Sequence, residues 1–262
     1  MLLKGGDQVN KIVAIVQARV GSSRLPGKTL MQLGDRSVLA RVLLRLSQCK
    51  KVDQIVVATT TNGEDDRIMN EAVACGFQCF RGSESDVLSR YYGAAKMAEA
   101  THVIRVTSDC PFIDPVLIDR MVDHYLEQAR NVDYLSNAFE RTFPHGLDTE
   151  IFSASALAIA HAHGASAAER EHVTPYIYLN PDQFEVSNFS NSENLSHHRW
   201  TLDEADDWAF FEAVVGHLPD PLVTTDQVLA LLEREPQISE INARVQQKTL
   251  ADSKPINQKL AG

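Results

Sequence analysis

The sequence predicts an α/β three-layer sandwich, in which a mostly parallel, twisted β-sheet lies between two layers of helices. Short apolar segments rich in β-branched residues alternate with amphipathic segments of three or four helical turns, which is the pattern of βαβ units. A length of 262 residues is normal for one large α/β unit. Hydrophobic residues make up 44% of the chain and charged residues 23%, which is the balance of a globular protein.

The first half of the chain shows this alternation most clearly. Residues 11–19 (KIVAIVQAR) are a β-branched apolar run that ends in a polar loop with Gly and Pro, as buried parallel strands do. A helix over 37–49 should follow, with Ser37 as its N-cap, an apolar face, and Arg41 and Arg45 outside that face. The other elements predicted up to residue 107 are strands at 54–59, 77–80 and 101–107, and helices at 65–75 and 86–98.

After Pro115 the pattern changes and predicts a small mixed β extension of the sheet. We expect this extension to contribute acceptor contacts or a dimer interface, so a homodimer is one expectation. The predicted elements are helices at 116–129, 153–163, 205–215 and 226–234, and strands or extended segments at 132–136, 148–152, 184–189 and 198–202. We divide the chain into an N-terminal extension (1–10), one domain (11–234) and a polar tail (235–262).

The charge and the apolar segments exclude several classes of protein. Twenty-five basic and 35 acidic residues give a net charge of −10, so the chain lacks the basic field that non-specific nucleic-acid binding needs. The longest apolar stretch near the start, 12–16, is far shorter than the roughly 20 residues that span a bilayer. The four cysteines are dispersed, which fits reduced thiols. We predict a cytoplasmic protein with no nucleic-acid partner and no membrane span.

The loop after the first strand carries the densest chemical signal. Residues 8–34 contain no acidic residue but carry Lys11, Arg19, Arg24 and Lys28. Glycine lets a ligand approach the backbone, serine donates hydrogen bonds, and Arg and Lys neutralise negative charge. The loop therefore predicts a polyphosphate cradle, and its candidate binding residues are Arg19, Gly21, Ser22, Ser23, Arg24 and Lys28.

This loop is not the phosphate-binding loop of P-loop kinases and ATPases. Five residues, including Pro26, separate Gly21 from Gly27-Lys28-Thr29, whereas the Walker A motif needs four. The tetrapeptide Asp-Glu-Ala-Asp at 203–206 matches a helicase motif in letters only, because one acidic domain of this size lacks a basic RNA track.

Two aspartates at predicted strand ends are candidate Mg²⁺ ligands. Asp109 follows the strand at 101–107 and Asp203 follows the one at 198–202. Doubly wound sheets bind ligands at the carboxyl ends of their strands. Mg²⁺ prefers one or two carboxylates together with water and substrate oxygens. The alternatives are that either residue caps a helix, or that Asp206 or Asp207 is the ligand instead.

The loop also resembles the signature of cytidylyltransferases that form sugar nucleotides. Ala18-Arg19 is followed by Ser22-Ser23-Arg24-Leu25-Pro26-Gly27-Lys28. The resemblance extends over residues 11–218 and is to the spore coat polysaccharide biosynthesis protein F branch, which is related to the CMP-KDO and CMP-acylneuraminate synthetases. Further shared segments are 57–60, 82–91, 107–113, 146–150 and 170–176. The resemblance implies the nucleotide-diphospho-sugar transferase type of fold.

The resemblance also implies roles for individual residues. Asp109 and Asp203 would bind Mg²⁺, Ala18 and Thr107 would belong to the nucleotide site, and Thr59, Thr60 and Ser83 would contact the base or ribose. The chain departs from the KDO enzymes at 83–87, where Ser-Glu-Ser-Asp-Val replaces Ser-Gly-Thr-Asp-Arg. The base specificity therefore stays open, and Asp86 is either part of the site or a helix cap.

A third group of polar residues is a candidate acceptor pocket. It consists of His145, Asp148, Glu150, Arg170 and His172. A carboxylate-bearing sugar would suit the Arg and His side chains. Alternatively, Arg170 with its neighbouring glutamates forms an exposed ion-pair face of a helix.

The expected reaction is Mg²⁺-dependent attack of a sugar hydroxyl on the α-phosphate of CTP, or of another nucleoside triphosphate, with release of pyrophosphate. Arg19, Arg24, Lys28 and Asp109 are the predicted catalytic residues, acting by placing charge and reactants. A CMP-sugar formed in this way would serve surface polysaccharide biosynthesis. The alternatives are a glycosyltransferase of GT-A type, whose usual Asp-x-Asp metal motif is absent, and a nucleotide-binding module without catalysis.

Overall fold

The computed structural model describes residues 10–128 and 132–246. Its strands are β1 (Ile12–Gln17), β2 (Gln32–Leu33), β3 (Arg36–Ser37), β4 (Gln54–Thr60), β5 (Gln78–Gly82), β6 (His102–Thr107), β7 (Tyr134–Ser136), β8 (Glu150–Ser153) and β9 (Val186–Asn188). Its helices are α1 (Val38–Leu46), α2 (Asp66–Ala74), α3 (Val87–Met97), α4 (Pro115–Gln128), α5 (Ala154–His163), α6 (Ala167–His172), α7 (Pro175–Tyr178), α8 (Ala205–His217), α9 (Thr225–Arg234) and α10 (Pro236–Glu240).

Seven strands form one mostly parallel sheet, in the order β5-β4-β1-β6-β8-β7-β9. Strands β5, β4, β1 and β6 run parallel to one another, and β8 alone is antiparallel to both of its neighbours. The predicted fold class is therefore confirmed, including the mixed extension. The carboxyl ends of β1, β4, β5 and β6 meet at one edge of the sheet. The loops that follow β1, β5 and β6 carry the predicted site residues Arg19, Arg24, Lys28, Ser83 and Asp109.

Both faces of the sheet are covered, because side chains of a strand point alternately to opposite sides. Ala14 and Val16 of β1 lie in a core with α1, α2, α4, α8 and α9. Val13 and Ile15 of the same strand lie in a second core with α3, α5 and α7. This explains why β1 is apolar at every position from 12 to 16.

Helix α1 begins as predicted, but two of its arginines are not where the sequence pattern placed them. Ser37 caps the helix by accepting a hydrogen bond from the Ala40 amide (3.0 Å). The prediction that Arg41 and Arg45 lie outside the buried face is wrong, since they are 0% and 2% exposed. Arg45 donates to backbone carbonyls of Phe112, Ile113, Pro221 and Val223. The guanidinium is buried because it satisfies loop carbonyls that have no strand partner.

Replacing Arg45 with methionine is expected to lower the free energy of unfolding by about 2–3 kcal/mol, because the loop carbonyls it satisfies would lose a charged donor. Urea unfolding followed by far-UV circular dichroism would measure this loss. The exposed Arg234 on α9 is the matched control, and its methionine variant should keep the wild-type midpoint. Equal midpoints for the two variants would contradict the structural role of Arg45.

The predicted strand at 198–202 is not a strand. The segment is extended, but its only ladder contact among the described residues is an isolated bridge between Arg199 and His145. The Leu202 amide donates instead to the carbonyl of Asp109 (2.8 Å). The alternation of apolar residues was recognised correctly, since Trp200 and Leu202 are buried. No strand in the described residues pairs with this segment, so the segment is a buried connection outside the sheet.

The first part of the predicted polar tail is structured. Helix α10 packs against α8 and α9, and the Asn242 side chain after it is 3% exposed. The N-terminal extension up to residue 9, residue 129 of the predicted fourth helix and the tail from 247 onward lie outside the described residues. The division of the chain into three parts stays a prediction. Within the described ranges, no helix combines the length and the apolar character needed to cross a membrane.

Candidate active site

The loop after β1 is folded back on itself and fixed to the end of β4. The Val20 carbonyl accepts hydrogen bonds from the amides of Ser22 (2.8 Å) and Gly27 (3.1 Å). The Val20 amide donates to the Asp65 carboxylate (2.7 Å), which also accepts from the Thr60 hydroxyl. The hydroxyl of Thr60, a predicted base or ribose contact, is therefore engaged in holding the loop.

At the centre of the site, one ammonium group lies between two carboxylates. Lys28 Nζ is 2.9 Å from Asp109 Oδ2 and 2.9 Å from Asp203 Oδ1, and it donates to the Leu202 carbonyl at 2.6 Å. The Lys28 and Asp203 side chains are each 11% exposed, and Asp109 is 25% exposed. Asp109 and Asp203 lie 81 and 175 positions after Lys28 in the sequence. Three site residues predicted in separate loops therefore converge on one point.

The Lys28 ammonium and the two carboxylates on either side of it have opposite charges and stabilise each other. Burial alone would lower the pKa of the Lys28 ammonium, but Asp109 and Asp203 raise it above its ordinary value. Burial disfavours the charged form of Asp109, yet the Lys28 ammonium and a hydrogen bond from the Thr107 hydroxyl (2.6 Å) lower its carboxyl pKa to about 2. At neutral pH the cluster therefore holds one cation and ionised Asp109.

The other cations of the loop are paired with carboxylates too. Arg24 bonds Asp203 Oδ1 (2.9 Å) and Glu204 Oε1 (3.1 Å), and its side chain is 24% exposed. Arg19 lies 3.5 Å from Glu84 at the outer rim. The cationic cradle predicted from the local sequence is thus balanced by acidic residues from later loops. An incoming polyphosphate would exchange these partners rather than meet bare cations.

A clasp formed by Arg199, Asp207 and Asn242 supports the loop that carries Asp203. Arg199 binds both oxygens of Asp207 (2.8 and 2.9 Å) and also reaches Asp203 Oδ2 (3.3 Å). Asn242 donates to Asp207 Oδ1 and to the Arg199 carbonyl, both at 3.0 Å. Burial raises the pKa of the Asp207 carboxyl, but Arg199, the Asp203 amide and Asn242 together lower it below its ordinary value. Within the described residues, the segment at 199–207 forms a single isolated β-bridge, so the side chains of the clasp hold it in place.

This geometry distinguishes Asp203 from the alternatives left open by the sequence. The N-cap of α8 is Glu204, within a capping box completed by Asp207, so Asp203 is not the cap. Asp207 is fully buried with both oxygens engaged, and Asp206 is exposed on α8. Asp203 therefore fits the predicted role better than either neighbour.

Gly146 allows the loop after β7 to lie against this same segment. Its φ is +99°, and a Cβ there would be 2.0 Å from the Trp200 carbonyl oxygen. Gly146→Ala is expected to displace residues 199–203 and lower the free energy of unfolding by about 3 kcal/mol. Thermal unfolding would measure the effect, and Gly216→Ala on α8 is the control, since its Cβ would meet no atom within 4 Å. An unchanged melting temperature for Gly146→Ala would contradict this packing.

The remaining predicted nucleotide-binding residues lie in β4 or in the loops after β1 and β5. Ala18 is buried and its amide donates to the Ala58 carbonyl (3.1 Å), whereas Gly21 and Ser23 are exposed. Ser83 is exposed and accepts from the Asp86 amide (3.1 Å). The Thr59 hydroxyl is buried and has no hydrogen-bond partner among the described residues.

The five predicted acceptor residues fall in three places. Asp148 forms an ion pair with Arg141, and both charges act on His145. His145 itself lines a cleft of about 450 Å³. Arg170 lies 3.5 Å from Asp86, the N-cap of α3, so it links two helices instead of facing the Lys28 cluster or forming an ion-pair face on its own helix.

Glu150 belongs to a buried polar network, most of which was not predicted from the sequence. Its carboxylate accepts from Arg105, Tyr134 and Thr174 (2.7 Å for Thr174). Arg105 also donates to Gln17 Oε1 (3.2 Å) at the end of β1. Register places Arg105 opposite Glu150 in β6 and β8. The sequence could have revealed this pair only if the antiparallel pairing of β6 with β8 had been known.

His172, another predicted acceptor residue, lies near the same network. Burial lowers the pKa of its imidazole, and Arg105 and Glu150 are among the charges that act on it. The next residue, Val173, has a φ of +73°, which is strained for a β-branched side chain. Glu150 and His172 thus act on each other, whereas Asp148 and Arg170 are paired with Arg141 and Asp86.

The central cluster fits a divalent cation that prefers oxygen ligands. The Asp109 and Asp203 carboxylates and the Leu202 carbonyl all face the position of Lys28 Nζ. No group of three or more His, Cys, Asp or Glu side chains suited to a metal occurs within residues 10–128 and 132–246. Two carboxylates without a dedicated protein cage suit Mg²⁺ that is shared with substrate phosphates.

Comparison with known proteins agrees with the resemblance noted in the sequence. A family model described as cytidylyltransferase matches residues 13–247. The chain is 33% identical over 238 residues to the spore coat polysaccharide biosynthesis protein SpsF of Bacillus subtilis, covering 87% of this chain and 96% of the relative. It is 29% identical over 184 residues to a 3-deoxy-manno-octulosonate cytidylyltransferase of Chlamydia trachomatis, covering 65% and 68%. A solved cytidylyltransferase structure from Leptospira borgpetersenii has a TM-score of 0.85 at 32% identity, covering 92% and 99% of the two chains.

Proposed function

The chain belongs to the cytidylyltransferase family, and from this premise we propose that it transfers a cytidylyl group from CTP to a sugar, for the synthesis of a surface polysaccharide. A sugar hydroxyl oxygen forms the new bond to the α-phosphorus of CTP, the bond from that phosphorus to the β-phosphate oxygen breaks, and pyrophosphate leaves. The hydroxyl proton passes to solvent, and no general base is assigned. The observation that carries the proposal is the placement of Lys28 between Asp109 and Asp203 beside the glycine-containing loop.

The chain's own residues act on this reaction mainly through charge and position. Lys28 and Arg24 exchange their carboxylate partners for phosphate oxygens, which keeps positive charge next to the developing pyrophosphate. Arg19 reaches the triphosphate from the rim, where its present partner Glu84 is half exposed and weakly held. Asp109 and Asp203 would hold Mg²⁺, which when bound neutralises charge on the phosphate oxygens.

The acceptor side of the site is proposed to be the network around Glu150. Arg105, whose pKa is raised by Glu150 despite burial, extends from that carboxylate to Gln17, next to the end of β6 where Asp109 begins its loop. His172 lies in the same region. Sugar hydroxyls both donate and accept hydrogen bonds, and Gln17 and Glu150 supply complementary groups. An acidic sugar would compete with Glu150 for Arg105.

The experiment is a matrix of the four nucleoside triphosphates against neutral, amino and acidic sugars, with and without Mg²⁺. The expected result is pyrophosphate release that needs CTP, Mg²⁺ and one class of sugar. Release of a nucleoside diphosphate from a nucleotide sugar would favour the glycosyltransferase alternative. Nucleotide binding without turnover for every sugar would favour the binding module. The predicted cytoplasmic location and homodimer stay predictions.

A further inference from the structure

Arg90 on α3 is a buried guanidinium without the hydrogen bonds that such a group requires. The residue is 2% exposed, and its Nε and Nη1 have no hydrogen-bond partner in the part of the chain that the structure describes. Burial is the main cause that lowers its pKa. A buried arginine is usually satisfied by carbonyls or carboxylates, as Arg45 is in this chain. Unpartnered buried donors are rare enough to require an explanation, and a ligand that supplies acceptors is one.

The position of Arg90 places these donors at the nucleotide site. A Cβ at Gly82, the last residue of β5, would be 2.8 Å from Arg90 Cγ, so the side chain passes directly against the end of that strand. Arg19, Asp65 and Glu84, which all belong to the loops around the predicted nucleotide site, are close enough to act on the Arg90 charge. The guanidinium therefore lies beneath the loops that follow β1, β4 and β5.

The nearby carboxylates do not compensate for the missing hydrogen bonds, because they are engaged elsewhere. Asp65 accepts from the Val20 amide and the Thr60 hydroxyl. Glu84 accepts from Arg19 and from the Asn62 side chain (2.8 Å). Among residues 10–128 and 132–246, no group therefore accepts a hydrogen bond from Nε or Nη1 of Arg90.

We propose that Arg90 reads the nucleobase of the bound nucleotide by donating hydrogen bonds to O2 and N3 of cytosine. This inference rests on the proposed function and adds the residue that selects the base. Cytosine presents O2 and N3 as neighbouring acceptors, which match two donors of one guanidinium. Uracil has an N–H donor at position 3, which would face the guanidinium donor and leave both unsatisfied. Arg90 therefore favours CTP over UTP.

The test measures the dissociation constants of CTP and UTP by isothermal titration calorimetry with Mg²⁺, which needs no acceptor sugar. Arg90→Met keeps the length and removes the donors, and Arg90→Lys keeps the charge but not the paired donors. Both variants should weaken CTP binding by about 10- to 100-fold and reduce the CTP preference over UTP by a similar factor. Gly82→Ala, which pushes against Arg90 Cγ, should act in the same direction without altering Arg90 itself.

Arg41→Met is the matched control, because Arg41 is also fully buried with Nε and Nη1 unpartnered but lies on α1, against Leu33. It should lower the melting temperature and keep the CTP preference. The inference is overturned if the unaltered chain binds CTP and the Arg90 variants weaken CTP and UTP equally or leave both unchanged. Failure of the unaltered chain to bind CTP would overturn the proposed function, and this inference with it.

Discussion

Replacing Lys28 with alanine is expected to reduce kcat/KM for pyrophosphate release by about 1,000-fold. The variant loses the buried ammonium that would face the phosphates, and it leaves Asp109 and Asp203 without the cation that separates them. Two neighbouring carboxylates without that cation repel each other and the triphosphate. Steady-state kinetics with CTP and the sugar identified by the substrate matrix would measure the loss.

Lys51→Ala is the control for Lys28. Lys51 forms an ion pair with Asp123 in which both side chains are about half exposed, so its removal should change neither turnover nor stability measurably. Near-UV circular dichroism of Lys28→Ala would show whether the fold is kept. A folded Lys28→Ala enzyme that retained turnover within about tenfold of wild type would contradict the assignment of the site.

Asp109→Asn is expected to lower kcat by about 100- to 1,000-fold and to weaken the response to Mg²⁺. The substitution keeps the shape but removes a carboxylate that the Lys28 ammonium and Thr107 hold ionised, with its pKa lowered to about 2 despite burial. Because that pKa lies far below neutrality, the wild-type enzyme should show no loss of activity from Asp109 in the weakly acidic range. The measurement is kcat as a function of Mg²⁺ concentration.

Asp119→Asn is the matched control for Asp109. The Asp119 carboxylate accepts from the backbone amides of Lys50 and Lys51 on the surface, and asparagine can still accept there. The control should keep the wild-type dependence on Mg²⁺. If Asp109→Asn and Asp119→Asn gave the same metal titration curve, Asp109 would not be a ligand.

Much of the fold was predictable because the signals are local. The alternation of buried strands and capped helices from β1 to β6 follows from residue order alone, and Ser37 caps its helix as predicted. Asp86, for which a cap was one of two alternatives, caps α3. Strand β8 and the segment at 198–202 were harder. Whether an extended apolar segment pairs with neighbours, and in which direction, depends on the rest of the chain. Within the described residues, the segment at 198–202 forms a single isolated β-bridge, between Arg199 and His145.

The candidate site was partly predictable for the same reason. Lys28 and Asp109 follow buried strands, and parallel strands bring their carboxyl ends together. The partners of these groups were not predictable, because an ion pair such as Arg105 with Glu150 depends on the register between two strands. Arg90 was missed because an arginine on an amphipathic helix is ordinarily exposed, and only the three-dimensional structure shows it buried.

The Asn242 side chain links the segment after α10 to the loop that carries Asp203. Asn242 bonds Arg199 and Asp207, and Arg199 in turn holds Asp203. A protein shortened to end with α9 would keep every residue proposed to contact the nucleotide, yet the Asp203 loop would lose one of its anchors. We therefore expect full activity to require the chain through Asn242.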